Sequence, residues 1–155
     1  MNHAVEYFKT QHMESKIKEF DVSSATVELA AMAVGCEPKE IAKTLSFMVD
    51  DCPILIVAAG DTKIDNGKFK SQFLTKAKML SPDQVETLIG HRIGGVCPFG
   101  IKPNVKVYLD SSLKRFSSVF AACGSSNTVI KLSIEELEHH SNYLEWIDVC
   151  KGWTD

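Results

Sequence analysis

The chain has 155 residues and a mass of 17.1 kDa, the size of one globular domain, and is read as a single domain over 1–155. Hydrophobic residues make up 45% and charged residues 24%, with 9 Gly and 5 Pro, which excludes disordered, collagenous and low-complexity chains. A net charge of −3 excludes a general nucleic-acid coat, and the longest apolar run, Pro53-Ile-Leu-Ile-Val-Ala-Ala-Gly60, falls far short of the roughly 20 residues of a membrane helix.

Met1-Asn-His-Ala-Val-Glu-Tyr-Phe-Lys9 has no basic start leading into an apolar core, so no secretory signal is visible and a cytoplasmic protein is expected. Val5, Phe8 and His12 lie on one face of a short amphipathic helix. Residues 16–20 read as a brief strand. Ser23 and Ser24 then offer a cap for a helix through Leu29 to Val34, stopped by Gly35. A helical turn is expected over 39–42, followed by a half-buried strand in which Leu45, Phe47 and Val49 alternate with Thr44, Ser46 and Met48. The turn at Asp50-Asp51-Cys52-Pro53 joins it to the apolar run as an antiparallel hairpin at the centre of the sheet.

Asp65-Asn66-Gly67 breaks the pattern before a helix over 68–74, whose Phe69, Phe73 and Leu74 share a face while its lysines face solvent. Ser81-Pro82-Asp83 starts another helix, with Val85, Leu88 and Ile89 on one face and Gly90 as its end. The segment 94–103, with three glycines and two prolines, suits no regular central element. Strands are expected over 105–109, 117–122 and 128–132, a helix over 134–140 and a last extended segment over 143–149. Strands and helices mix without steady alternation, so the fold class is α+β, with a mixed, largely antiparallel sheet or partly closed barrel flanked by helices.

Cys36, Cys52, Cys97, Cys123 and Cys150 form no CxxC pair and no zinc-finger spacing with histidine, so reduced, mostly buried thiols are expected and no metal. His139 and His140, neighbours on a helix, point about 100° apart and read as surface residues. There is no G-x-S-x-G elbow, Walker loop or G-x-G-x-x-G fingerprint, which argues against a serine triad and nucleotide hydrolysis. Cys97 sits in a glycine-rich loop and reads either as a thiol nucleophile activated by backbone N–H groups or as a structural, pocket-lining residue. Lys63, Lys68, Lys70, Lys76 and Lys78, opposed within their window only by Asp65, read either as a solvated face or as a phosphate-facing surface.

Four segments in order, Ala42-Lys43-Thr44-Leu45-Ser46-Phe47, Ala58-Ala59-Gly60-Asp61, Gly94-Gly95-Val96-Cys97-Pro98-Phe99-Gly100 and Cys123-Gly124-Ser125-Ser126-Asn127, make residues 24–137 resemble the YbaK and prolyl-tRNA-synthetase insertion-domain family of aminoacyl-tRNA deacylases. The strand-opening lysine and the G-x-x-x-P loop at 94–98 carry the resemblance. It implies a free-standing editing enzyme that hydrolyses mischarged tRNA, commonly tRNA(Pro), without a cofactor and with a synthetase as a further potential partner. Such editing supplies discrimination that a synthetase pocket, worth only about 1–3 kcal/mol per methylene, lacks.

The resemblance also implies site roles. Lys43, Gly94, Gly95 and Pro98 would be catalytic: Lys43 as a cation for phosphate or ester oxygens, the glycines as a close backbone approach to the scissile carbonyl, and Pro98 as a stiffener. Thr44, Val96, Cys97, Phe99, Gly100, Gly124 and Asn127 would bind substrate, and the 63–78 lysines would contact the tRNA backbone. Val129 stands where some cysteinyl-tRNA deacylases of the family carry an acidic residue, a departure from the cysteine-specific pattern, so alanine, serine or another small amino acid remains open beside cysteine. A non-catalytic module binding tRNA or a synthetase is the alternative.

Overall fold

The computed structural model describes residues 2–154, so Met1 and Asp155, which the single-domain reading includes, lie outside the described residues. The chain runs α1 (His3–Thr10), β1 (Ile17–Glu19), α2 (Val27–Val34), β2 (Ile41–Val49), β3 (Cys52–Ala59), β4 (Lys63–Ile64), α3 (Asn66–Phe73), α4 (Pro82–Gln84), β5 (Lys106–Asp110), β6 (Ser118–Ala122), β7 (Thr128–Ser133), α5 (Ile134–Ser141), β8 (Glu145–Ile147) and β9 (Cys150–Lys151). Seven strands form one open sheet in the order β1-β7-β6-β2-β3-β5-β8, and β4 pairs with β9 separately. The fold is α+β with a mixed sheet. The β6–β2, β3–β5 and β5–β8 joins are parallel, while the long β2–β3 hairpin makes antiparallel pairing predominate.

β2 and β3 lie at the sheet's centre because both faces of β3 are covered, which is why its sequence is continuously apolar. Leu55, Val57 and Ala59 pack into one core with Phe8, Cys97, Phe99 and Leu137; Ile54, Ile56 and Ala58 pack into another with Phe47, Phe69 and Val149. Asp50 and Asp51 close the hairpin with φ of 49° and 61°, the paired left-handed conformation that a tight two-residue hairpin needs. Cys52 and Pro53 are already in β3.

Several boundaries differ from expectation for local reasons. Thr26, not Ser23 or Ser24, caps α2, accepting from Leu29 N–H. His12 is exposed beyond the end of α1, which stops at Thr10. Asp65 caps α3, which starts at Asn66, two residues earlier than the glycine signal suggests. Leu74, 87% exposed, is the left-handed end residue of α3 and shares no buried face with Phe69 and Phe73. His140 is half-buried, its Nδ1 2.8 Å from the Tyr7 hydroxyl, so only His139 is a plain surface residue. After the Ser81 capping box, α4 widens into a π turn over Val85–Ile89 that ends at Gly90.

Candidate active site

One edge of β2 is paired to β3 along the whole strand, but the other is not. On that second edge β6 pairs only with Ile41 and Ala42. Farther along, Met48 N–H donates to the Lys78 carbonyl at 2.9 Å and Leu80 N–H to the Ser46 carbonyl at 3.2 Å. Strand alternation sends the backbone groups of Ala42, Thr44, Ser46 and Met48 to this edge. Thr44 therefore falls in the gap, its N–H and C=O without a partner among the described residues.

That gap is the floor of a cleft of about 220 Å³, smaller than the roughly 300–1,000 Å³ of sites that engulf a drug-sized ligand. Ala25, Thr26, Val27 and Ala30 of the α2 region form one wall, Gly94 and Val96 another, and Val85 and Leu80 close the end. Met79 and Ile93, 60% and 59% exposed, stand at the rim. The lining is mostly small and apolar, punctuated by Ser24, Thr44 and Ser46.

Lys43 lines the same cleft, and its Nζ donates to the Thr62 carbonyl. Thr62 is itself buried and fixed by its hydroxyl, which donates to the Ala59 carbonyl at 2.7 Å. Burial pulls the Lys43 pKa below that of an ordinary lysine. Asp61, next to Thr62, is spent on Arg115, which grips it at 2.6 and 2.9 Å and holds its carboxyl below the usual range by hydrogen bonding. Among the described residues no carboxylate pairs with Lys43. It is a half-buried cation with a neutral partner, suited to receive an anionic or developing negative oxygen.

The structure divides the glycine-rich loop between two faces. Gly94, at φ 94°, and Val96 face the cleft, and their N–H groups have no partner among the described residues. Gly95 does not offer its N–H: it donates to the Arg92 carbonyl at 3.0 Å, and the Gly95 carbonyl accepts from Gly124 N–H at 3.0 Å. A Cβ at Gly95 would overlap the backbone of Gly124 and Ser125.

Cys97 and Phe99 are fully buried in the core behind the loop and line no part of the cleft. Pro98 and Gly100 turn toward Tyr7 on the opposite surface, Gly124 packs on Asn2, and Asn127 donates to the Phe20 carbonyl at 3.1 Å, so none of these four lines the cleft either. Val129 is buried in β7 across from Ala122, one strand removed from the cleft.

Sequence reading names no base for Cys97, yet the fold brings His91 to 3.5 Å from its Sγ. The pair is wired against nucleophilic chemistry. His91 Nε2 is 2.7 Å from the Phe99 carbonyl, which can only accept, so Nε2 holds the proton and cannot take one from the thiol. Burial raises the Cys97 pKa and lowers that of His91, so both are neutral. Thr62 and His91 carry no motif signal; only folding shows them.

The five lysines of 63–78 do not make one free stripe. Lys68 is bound to Asp148 at 3.0 Å, and Lys63 stands opposite Lys151 in the β4–β9 pair. Lys70 and Lys76 flank one shallow surface depression, and Lys78 is exposed beside the strip that pairs with β2.

Residues 21–139 match the model of the aminoacyl-tRNA editing domain. The chain belongs to the aminoacyl-tRNA editing domain family. Within and around the family it is 53% identical over 148 residues to the uncharacterized protein YwhH of Bacillus subtilis, covering 95% of this chain and 94% of that one. It is 27% identical over 114 residues to EbsC of Enterococcus faecalis, named as a candidate Cys-tRNA(Pro)/Cys-tRNA(Cys) deacylase, covering 72% of this chain and 70% of that one. A crystal structure described as a candidate trans-editing enzyme for prolyl-tRNA synthetase superposes with a TM-score of 0.85 at 28% identity, covering 97% of this chain and 96% of that one. The editing domain also matches proline–tRNA ligases, such as that of Shouchella clausii at 30% identity, where it spans 18% of the longer protein. Among the described residues no helix is long and apolar enough to cross a membrane.

Proposed function

We propose that this chain hydrolyses the ester of mischarged aminoacyl-tRNA, removing a small noncognate amino acid (alanine, cysteine or serine), with tRNA(Pro) as the first substrate to test. The observation that carries the reading is that one small cleft is lined by Lys43, by Thr44 at the unpaired stretch of β2, and by Gly94 and Val96, whose N–H groups have no partner among the described residues.

An aminoacyl ester is already activated, so orientation and oxyanion stabilisation suffice for its hydrolysis. The amino-acid side chain sits against the small apolar wall of Ala25, Ala30 and Val27. Water adds to the ester carbonyl, the loop N–H groups hold the resulting oxyanion, and the ribose oxygen leaves and takes up a proton. Lys43 holds phosphate or ester oxygens of the terminal nucleotide by exchanging the Thr62 carbonyl for them. Lys70, Lys76 and the Lys63 edge of the β4–β9 pair supply tRNA backbone contacts, which weaken as salt rises. In this reading the protein acts in the cytoplasm on released aminoacyl-tRNA, alone or beside a synthetase.

The test is deacylation of tRNA(Pro) charged with Ala, Cys, Ser or Pro, by the wild type and Lys43→Ala in parallel. Selective hydrolysis of one noncognate species, lost in the variant, is the expected result. If no species is hydrolysed above the spontaneous rate while tRNA still binds, the chain is a binding module instead.

A further inference from the structure

The loop that faces the cleft is held from behind by α1, a helix outside the family segment 21–139. Asn2 is the centre of this connection. Its Oδ1 accepts from Val5 N–H at 3.0 Å and caps α1, while its Nδ2 donates to the Cys123 carbonyl at 2.8 Å, 121 residues away. The next residue, Gly124, at φ 84°, lies so close to Asn2 that a Cβ there would overlap the amide. Gly124 in turn donates its N–H to the Gly95 carbonyl at 3.0 Å.

The far end of the loop is gripped by the same helix. A Cβ at Gly100 would overlap the backbone of His3, and Phe8 meets Phe99 edge-on at 4.8 Å between ring centroids. Three loop positions, Gly95, Phe99 and Gly100, are thus referenced to α1 directly or through one residue. The cleft walls on α2 and β2 do not depend on these contacts.

We propose that Asn2 is a positioning residue that sets the placement of the cleft-lining Gly94 and Val96, making α1 part of the site architecture. The kinetic consequence rests on the deacylase reading; the mechanical link does not. One amide side chain does two jobs, and substitution separates them. Asn2→Asp and Asn2→Ser both keep an oxygen to cap α1, but the first has no donor for the Cys123 carbonyl at neutral pH and the second is too short to reach it while capping.

The experiment combines hydrogen exchange of the intact protein with deacylation kinetics, comparing the wild type with both variants. Expected is exchange on the order of tenfold faster at the hydrogen-bonded amides of Gly95 and Gly124, with α1 protection retained. Expected too is a kcat lower on the order of tenfold with KM within about twofold, since the side-chain walls are untouched. Acidifying the Asn2→Asp protein protonates the new carboxyl, restores a donor and recovers loop protection, which no change in overall stability mimics. Unchanged loop exchange in both variants overturns the proposal, as does loosening of α1 to the same extent as the loop, which signals loss of the cap alone. If the wild type hydrolyses no charged tRNA, the deacylase reading fails and the exchange data alone decide the role of Asn2.

Discussion

The Lys43 ammonium donates to the Thr62 carbonyl, and the neighbouring Asp61 carboxylate is turned away to Arg115. An enclosed lysine left without a counter-charge costs stability through desolvation, so its retention at a cleft points to use. Replacing it by a side chain of similar length without charge separates the two roles. Lys43→Met is expected to change stability by no more than about 1 kcal/mol, because the lost hydrogen bond is offset by relief of desolvation. Deacylation is expected to fall on the order of 100-fold. Thermal unfolding and single-turnover hydrolysis measure the two.

The same burial sets a pH dependence. The proposed role of Lys43 requires the charged ammonium, and a lowered pKa means the charge is lost sooner as pH rises. After subtraction of spontaneous ester hydrolysis, kcat/KM should decline at a pH below the roughly 10.4 of a free lysine. A profile flat up to that pH would remove Lys43 from the chemistry.

Gly94 and Gly95 are adjacent but should respond differently to alanine. At Gly95 the new Cβ would overlap the Gly124 and Ser125 backbone, so a destabilisation of at least about 2 kcal/mol is expected. At Gly94 the nearest side-chain atom would be 3.1 Å away and the main penalty is the positive φ, about 1–2 kcal/mol. Gly94→Ala should therefore remain folded and lose activity. Denaturant melts beside kinetics decide it.

Cys97 should be chemically silent in the native protein, since its thiol is buried with a raised pKa and its histidine neighbour is committed as a donor. Cys97→Ala is expected to retain turnover at a cost of about 1 kcal/mol in stability. Alkylation followed by peptide mapping should label the half-buried Cys36 and Cys52 before Cys97, Cys123 or Cys150. Inactivation that tracks labelling of Cys97 would restore the thiol mechanism.

His91 and His140 both have pKa values lowered from 6.5, chiefly by burial. The unfolded chain then binds protons that the folded one refuses. Stability present above about pH 6.5 is lost as pH falls toward the folded values. Melting curves between pH 7.5 and 5.5 should show this decline, and His140→Gln should flatten part of it.

Much of the fold is legible because local rules and tertiary structure agree. The hairpin follows from alternation meeting an apolar run across Asp50 and Asp51, and the Ser81-Pro82 and Gly35 signals mark helix ends where they stand. Disagreements arise where a long-range contact overrides a local cue: Leu74 reads as part of a helical face until the chain turns left-handed there, and His140 reads as surface until Tyr7 approaches from 133 residues away.

The site divides along the same line. Lys43 and the glycines of 94–98 announce themselves by residue type and order, because only a lysine supplies that cation and only glycine tolerates those close approaches and left-handed turns. Those residues alone determined the family and the class of chemistry to look for. Which of them share the cleft depended on where β6 stops pairing with β2, which leaves Thr44 exposed at the gap and directs Gly94 and Val96 inward while Cys97, Pro98 and Phe99 face α1. Partnership was equally invisible in the chain. Arg115 takes Asp61 from 54 residues away and Thr62 receives Lys43 from 19, and sequence spacing carries no information about contacts made only when the sheet assembles.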